Sequence, residues 1–243
     1  MASDVGIDQN YLPSENIKSQ SYMDNISDWT ILNKMKLNES KSKVMIFNYT
    51  TNYQFATRVH LNNNLSISET SLLGTVVSSD LKWQSNSKLL TQKGYQRMTI
   101  LRKLYDFDIP LEDLVMIYNM YVRSILEYNS SVWFSSITND ERENLERVQR
   151  VACKIILKEE YKNYNQALTI LGLQNLSDRR QMLAARFAKK CVKTDRFCDL
   201  FPLADKTKTR SNDKYAVQFA NTSRLKNSSI PAMRRILNKE DKK

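Results

Sequence analysis

The spacing of hydrophobic positions along the chain changes near residue 80. Before that point, short apolar or alternating runs predict β-strands. These runs cover residues 43–48, 56–61, 65–67 and 72–77. A short helix is predicted ahead of them, beginning at Ser27 or Asp28 and ending near Lys36. Its apolar face would consist of Trp29, Leu32 and Met35.

After residue 80 the hydrophobic positions repeat with the period of an α-helix. Helices are predicted at about residues 90–104, 111–125, 138–158, 164–171 and 177–193. Thr138 and Glu141 have the spacing of a capping box, and Gly172 is a typical helix end. Asp108-Ile109-Pro110 separates the first two helices. From Pro202 onward the periodicity is weak, so a partly extended chain is expected.

These patterns predict an α+β fold that is mostly α-helical. The 243 residues contain only four Gly and four Pro, too few for the many tight turns of a β-sandwich. Four segments are expected: a poorly ordered lead-in at residues 1–22, a small sheet with one helix at 23–80, a helical bundle at 81–195, and a basic tail at 196–243.

The charge of the chain, +11 overall, is unevenly distributed. Residues 1–30 carry five acidic residues and one basic residue, whereas the chain from Arg179 onward carries eighteen basic and six acidic residues. A basic excess of this size favours a polyanionic partner such as nucleic acid. A solvated basic surface without a partner is the alternative.

Other functional classes are less compatible with the sequence. Cys153, Cys191 and Cys198 are an odd number at unrelated spacings, which argues against a disulfide framework. The single His60 and the lack of paired cysteines leave no zinc-binding pattern. No apolar run is long enough for a membrane span, and the N-terminus lacks the features of a signal peptide.

Five short phrases occur in a specific order between residues 28 and 194. They are Trp29 with the run from Met35 to Lys43; Leu72-Leu73-Gly74-Thr75 with Asp80-Leu81-Lys82-Trp83; the run from Tyr121 to Tyr128 with Trp133; the run from Leu145 to Arg150; and Leu171-Gly172-Leu173 with Leu176 and Arg179-Arg180. In this order they resemble the end of the palm and the thumb of reverse transcriptases from non-LTR (LINE-type, jockey-like) retrotransposons. The run Asn221–Pro231 is also similar to the tails of such proteins.

The resemblance implies a palm remnant at residues 23–80 and a thumb at 81–195. In this family, Mg²⁺ is bound by carboxylates of an upstream strand and of a Tyr-x-Asp-Asp hairpin, and the metal ions carry the chemistry. The chain contains no Asp-Asp pair. Tyr22-Met23-Asp24-Asn25 differs from Tyr-Met-Asp-Asp at one position. However, no apolar strand precedes it, and the neutral Asn binds divalent metals more weakly than Asp. We therefore expect neither catalytic residues nor a cofactor in this chain, which would not polymerise alone.

A thumb holds the primer–template duplex through its phosphates, so the expected partner is RNA or an RNA–DNA duplex. The missing palm and fingers of the same polyprotein are a second possible partner, and no membrane is expected. The candidate nucleic-acid-binding residues are Lys41, Leu73, Gly74, Lys88, Lys93, Arg97, Arg147, Arg150, Lys154, Lys158, Arg179 and Arg180.

Several of these positions keep two interpretations. Arg147, Arg150, Lys154 and Lys158 form one stripe, which is either a phosphate-binding or a solvated face. Gly74 either has a positive φ or a close neighbour in a primer-grip turn, or belongs to an ordinary turn. Arg179 and Arg180 either contact phosphate or stabilise the bundle. Trp83, Tyr128 and Trp133 either stack on bases or, as is more usual, belong to the core.

The main functional hypothesis is a reverse-transcriptase fragment that retains nucleic-acid binding without catalysis. The alternative is a vestigial or domesticated helical interaction protein with no role in nucleic-acid binding. A basic stripe and basic tail on one surface would favour the first hypothesis, and scattered charges would favour the second.

Overall fold

The computed structural model describes residues 15–38, 42–43, 45, 47, 67–205 and 213–242, with side chains from residue 21 onward. The chain divides into two compact units. The first comprises residues 1–70 and 78–81, and the second comprises residues 71–77 and 82–243. Within the described residues the protein is mostly helical with a small antiparallel two-stranded sheet, so the predicted α+β, mostly α fold class is confirmed.

The first unit contains helix α1, Glu15–Leu32, which begins well before the predicted start at Ser27 or Asp28. Part of the predicted lead-in is therefore helical. The predicted apolar face is also wrong, because Trp29, Leu32 and Met35 are 54%, 82% and 50% exposed. Periodicity failed here because polar residues occur on all sides of α1. The predicted strand at residues 56–61, half of the one at 43–48 and most of the one at 65–67 lie outside the described residues.

A β-hairpin consists of β1, Glu69–Leu72, and β2, Thr75–Ser78. The predicted strand at residues 72–77 is in reality the tip of this hairpin, where Gly74 lies in the turn. Leu73 and Gly74 have φ values of +47° and +82°. Positive φ at both central residues is typical of the two-residue turns that match the twist of a hairpin.

Helix α2, Gln84–Tyr105, and helix α6, Asn139–Leu157, form the centre of the second unit. Gly94 of α2 lies against Val148, and Tyr105 lies near Lys158 just beyond α6, so the two helices run in the same direction. Leu90, Gly94, Met98 and Leu101 are buried, as the helical period predicts. Thr138 and Glu141 form the predicted capping box at the start of α6.

The predicted helix at 111–125 is continuous but not uniform. It consists of α3, Leu111–Ile117, a π-helical segment, Tyr118–Arg123, and α4, Ser124–Glu127. Its four fully buried residues, Leu114, Tyr118, Val122 and Leu126, are spaced by four. A wider turn keeps residues at that spacing on one face better than an α-helix does.

The remaining α-helices are α5, Ser130–Trp133; α7, Tyr164–Ile170; α8, Leu176–Val192; α9, Asp195–Cys198; α10, Ser223–Asn227; and α11, Ser229–Glu240. Of these, α7 and α8 pack against α6, and α5, α9 and α11 pack against α8. Gly172, with φ of +59°, follows the end of α7 as predicted. Helix α8 begins just before the predicted start at residue 177 and is capped by Asn175, whose side chain accepts from the Asp178 N–H at 2.8 Å.

The C-terminal segment is more folded than the sequence predicts. Helix α11 packs against α8, and a second hydrophobic cluster forms there from Ala188, Cys191, Phe201, Tyr215, Met233 and Leu237. The residues predicted to be a basic tail thus contribute a core of their own. The helical period did not predict this cluster, because its residues come from short segments far apart in the sequence. Phe201 and Tyr215 lie outside the helices, and Met233 and Leu237 lie in α11.

Candidate nucleic-acid interface

The predicted basic stripe lies along the solvent-facing side of α6. Arg147, Lys154 and Lys158 are exposed and Arg150 is half-buried. The opposite side of the helix carries the buried residues Leu145, Val148, Ala152 and Ile156. Since a helix rises about 1.5 Å per residue, the stripe is about 16 Å long.

Three of the four stripe cations lie over tyrosine rings. Measured from the cation to the ring centroid, the pairs are Arg150 with Tyr164 at 5.1 Å, Lys154 with Tyr161 at 5.4 Å, and Lys158 with Tyr105 at 3.6 Å. Contacts of this kind restrain long side chains while leaving their charge at the surface. The rings come from three different elements, so the stripe with its tyrosines forms a continuous surface of α2, α6 and the start of α7.

Acidic neighbours neutralise two of the stripe cations. Arg150 forms an ion pair with Glu143 at 2.8 Å, and Lys158 lies 3.8 Å from Asp106. The hydrogen bond from Arg150 lowers the pKa of Glu143. Arg147 and Lys154 have no carboxylate partner among the described residues, so these two retain the charge that a phosphate would meet.

The predicted binding residues on α2 are not all part of this surface. Lys88 and Lys93 are exposed. The Arg97 guanidinium lies 4.2 Å from the Tyr121 ring, and its Nη1 donates to the Tyr121 carbonyl oxygen at 2.6 Å. Arg97 therefore joins α2 to the π-helical segment. Lys41 lies outside the described residues.

The hairpin tip is fixed to the helical bundle. The Tyr128 hydroxyl donates to the Leu73 carbonyl oxygen at 2.7 Å, and Asn129 Nδ2 donates to Thr75 Oγ1 at 3.0 Å. The Leu73 side chain remains 74% exposed. A Cβ on Gly74 would meet Tyr128 only at an ordinary 3.5 Å, so of the two predicted reasons for glycine the positive φ applies.

Arg179 and Arg180 stabilise the bundle in the described structure. Arg180 is fully buried, and its Nε and Nη2 donate to the Leu126 carbonyl oxygen at 3.2 and 3.0 Å. Arg179 forms an ion pair with Glu127. A side chain with no exposed surface is not available to phosphate, so the placement of Arg180 in a nucleic-acid interface is wrong.

The three candidate stacking aromatics have different environments. Trp133 is fully buried, and its Nε1 donates to the Tyr128 carbonyl oxygen at 2.9 Å. Trp83 packs against the same core, whereas Tyr128 is 49% exposed and holds the hairpin. Trp133 is therefore a core residue, and Trp83 is a partly buried residue at the edge of the same core.

A buried glutamine at the centre of the bundle was not predicted. Gln149 is fully buried, and its Nε2 donates to the Tyr164 hydroxyl at 2.9 Å and to the Gln174 carbonyl oxygen at 2.8 Å. Its Oε1 accepts from the Tyr118 hydroxyl at 2.6 Å, and burial raises the pKa of Tyr118. Its position beside Val148, in the apolar phase of α6, was the signal that could have identified it.

Glu146 extends this network toward α8. Both carboxylate oxygens lie 3.1 Å from the Leu176 N–H, and the Tyr164 hydroxyl donates to Oε1. Burial, followed by the hydrogen bond to Glu146, raises the pKa of Tyr164. The carboxylate thus binds the first N–H of α8, where a negative charge is favourable.

Two further features limit the chemistry of the described residues. Tyr22–Asn25 lies inside α1 and not on a hairpin turn, so it lacks the geometry of a polymerase carboxylate motif. Within the described residues, no cluster of three His, Cys, Asp or Glu side chains is suitable for a metal ion. Nor does any described helix combine the length and apolarity needed to cross a membrane.

Comparison of the chain with protein-family models, with curated proteins and with solved structures finds no match.

Proposed function

We propose that this chain is the thumb side of a non-LTR-type reverse transcriptase and that its helical unit binds the backbone of RNA or an RNA–DNA duplex. The observation that carries the proposal is the stripe of α6, with exposed cations held over tyrosine rings. A stripe about 16 Å long spans about five phosphates of one strand, which follow one another about every 3.4 Å along the axis of a B-form duplex. The stripe can therefore meet several phosphates at once.

The hydrogen-bonding pattern of the resemblance phrases also supports a thumb. Arg180 of the last phrase donates to Leu126 of the third, and Glu146 of the fourth phrase accepts from Leu176 of the last. Tyr128 of the third phrase holds Leu73 of the second. Segments far apart in sequence are thus partners in one bundle, as expected if they are characteristic of a single domain.

Polymerisation is not assigned to this chain, because its sequence contains no Asp-Asp pair and Asp24 lies within a helix. In the proposed role the residues of the stripe position a duplex without reading its sequence, because phosphate contacts carry no sequence information. Mg²⁺ chemistry would belong to carboxylates of a palm, as the resemblance implies.

The test is fluorescence anisotropy of a labelled RNA–DNA duplex with the full chain at several salt concentrations. Each phosphate contact contributes about −0.9 to the slope of log K against log salt. Two to four contacts therefore predict a loss of about tenfold to 150-fold in affinity between 50 and 200 mM salt. Absence of binding at the lower salt concentration would refute the proposal.

Single variants locate the binding surface. Arg147→Ala and Lys154→Ala should each reduce the magnitude of the slope by about 1. Lys189→Ala is the matched control, because Lys189 is paired with Glu240 at 2.8 Å on the surface of α8. It should leave the slope unchanged. Equal effects of all three variants would show that binding depends on net charge alone and not on the stripe.

A second candidate function is a helical interaction protein that does not bind nucleic acid. It is favoured by the C-terminal cations, several of which are paired with acidic residues: Lys189 with Glu240, Lys214 with Asp241, and Lys242 with Asp213. Helix α11 also packs on α8 and not on the stripe side of α6. The same anisotropy experiment separates the two candidates.

A further inference from the structure

A cavity of about 190 Å³ lies between α5, α8 and α11, away from the stripe. At about 30 Å³ per water, it has room for an ion of phosphate size with solvent. Its lining is rich in hydroxyl groups and contains no acidic residue. The hydroxyl groups belong to Ser130, Ser131, Ser135, Ser177 and Ser229, and Arg142 also lines the cavity.

Ser130 shows that this cavity has an unfilled hydrogen-bonding demand. The residue is only 3% exposed and lines the cavity, yet its hydroxyl forms no hydrogen bond within the described part of the chain. Ser135 Oγ, also at the cavity, is buried and without a partner among the described residues. Buried polar side chains normally have partners, so the Ser130 hydroxyl is available to a ligand or bound solvent in the cavity. Ser135 Oγ has almost no accessible surface and does not contribute.

The start of α11 adds donors to the same cavity. Its N-cap residue, Ser228, does not cap the helix, because its hydroxyl donates back to the Leu225 carbonyl oxygen at 2.8 Å. The N–H groups of Ser229 and Ile230 at the start of this 12-residue helix therefore lack a side-chain acceptor, and Pro231 has no N–H to offer. The positive end of a helix dipole with free N–H groups favours an anion.

Arg142 lines the cavity and adds positive charge there, although its Nε and Nη2 donate to the carbonyl oxygens of Ile137, Phe134 and Ser135. Arg180 lies deeper in the core and does not line the cavity. Arg142 lies 4.5 Å and Arg180 lies 5.6 Å from the centroid of the Phe134 ring. Neither forms an ion pair with a carboxylate in the described ranges. Burial lowers the pKa of Arg180 to about 10, while the carboxylates of Glu146 and Glu127 raise it and partly balance its charge. An anion in the cavity would balance the charge of Arg142.

We propose that the cavity binds a phosphate group through the hydroxyl groups of Ser130, Ser177 and Ser229, the N–H groups at the start of α11, and the charge of Arg142. The group is either a free phosphate or the terminal phosphate of a nucleic-acid strand, which share this chemistry. The site is separate from the stripe and does not depend on the proposed function.

The test uses the full chain with inorganic phosphate, compared with chloride at the same ionic strength. Calorimetry gives the Kd for phosphate, and thermal unfolding gives a second readout. At a phosphate concentration 100 times the Kd, Tm should rise by about 5–10 °C over chloride. If phosphate and chloride give the same Tm and calorimetry detects no binding, the proposal is wrong.

Variants then locate the bound ion. Ser130→Ala and Ser229→Ala should each weaken phosphate binding about tenfold, because hydrogen bonds to a charged group are strong. Ser229→Asp should abolish binding while stabilising α11, because it places a negative charge at the helix start. A loss caused by unfolding would instead lower the Tm in chloride.

The control variants are Ser124→Ala, which removes a hydroxyl that donates to the Met120 carbonyl oxygen at 2.6 Å outside the cavity, and Lys189→Ala, which removes a surface cation paired with Glu240. Both should bind phosphate like the wild type. Wild-type affinity in all three cavity variants would place the ion elsewhere and overturn the proposal.

Competition separates the two sources of phosphate. An oligonucleotide with a 5′-phosphate that displaces inorganic phosphate, when its unphosphorylated form does not, identifies a strand terminus as the ligand. Displacement by neither oligonucleotide identifies a free phosphate. Displacement by both forms alike would overturn the assignment to a single phosphate group, because internal phosphodiesters would then suffice.

Discussion

Replacement of Gly94 by alanine tests the closest contact between α2 and α6. A Cβ at this position would lie 2.8 Å from Val148 Cγ1 and 3.2 Å from Leu126 Cδ2. The first distance is shorter than real Cβ contacts allow, and Val148 is a β-branched residue with little rotamer freedom. Either the helices separate or Val148 moves.

Two opposing effects determine the change in the free energy of unfolding. Alanine is about 0.8–1.0 kcal/mol better than glycine in a helix interior. Overpacking a filled core costs about 1–3 kcal/mol. Because the contact involves a stiff side chain in a fully buried position, we expect the packing cost to exceed the propensity gain, with a net loss of about 1 kcal/mol.

Val148→Ala completes a double-mutant cycle. Alone it removes two buried methyl groups and leaves a cavity, at a cost of about 2 kcal/mol. In the double variant the new Cβ of residue 94 fills part of that space. The combined loss should therefore be smaller than the sum of the single losses by at least about 1 kcal/mol.

Urea unfolding followed by circular dichroism measures these free energies, with Gln96→Ala as a control on the exposed side of α2. The control should change stability by less than about 0.5 kcal/mol. If Gly94→Ala stabilises the protein by about 1 kcal/mol, or if the two changes are additive, the parallel contact between α2 and α6 is not as described.

Other contacts give further predictions. Arg180→Met should cost about 2 kcal/mol in urea unfolding, since it leaves a buried carbonyl group without its donor. Arg179→Ala should cost less than that, because Arg123 remains as an ion-pair partner of Glu127 at 3.8 Å. Thr138→Ala should lower the free energy of unfolding by about 1 kcal/mol through loss of the capping box. Tyr128→Phe should increase amide hydrogen exchange at the hairpin tip, because the Leu73 carbonyl oxygen loses its donor, while the unfolding midpoint changes little.

The regular helices were predictable because their burial follows a simple period. The local sequence is sufficient to predict the buried face of α2, with Leu90, Met98 and Leu101, and the start of α6 at the Thr138 capping box. Helix α1 was not predictable to the same degree, since its largest apolar residues, Trp29, Ile31 and Leu32, are exposed, whereas Met23, Ile26 and Thr30 are partly or fully buried. Periodicity identifies a helix only when a core selects one side of it.

The roles of individual arginines required the structure. Arg179 and Arg180 are adjacent in sequence, but one helical step of about 100° turns Arg179 toward Glu127 at the surface and Arg180 into the core. From composition and charge alone, both arginines are candidates for phosphate binding. Only the packing of α8 against α4 and α5 distinguishes a surface cation from a buried one.

Stabilising the fold and binding a ligand fall to different residues of the resemblance phrases. Their best-placed residues, such as Glu146, Arg180 and Tyr128, make contacts inside the protein: they hold α8, α4 and the hairpin. These residues therefore define how the bundle folds, and replacing them would alter stability before it altered binding. Arg147 and Lys154, which have no carboxylate partner among the described residues, are where a loss of binding can be measured without a loss of fold.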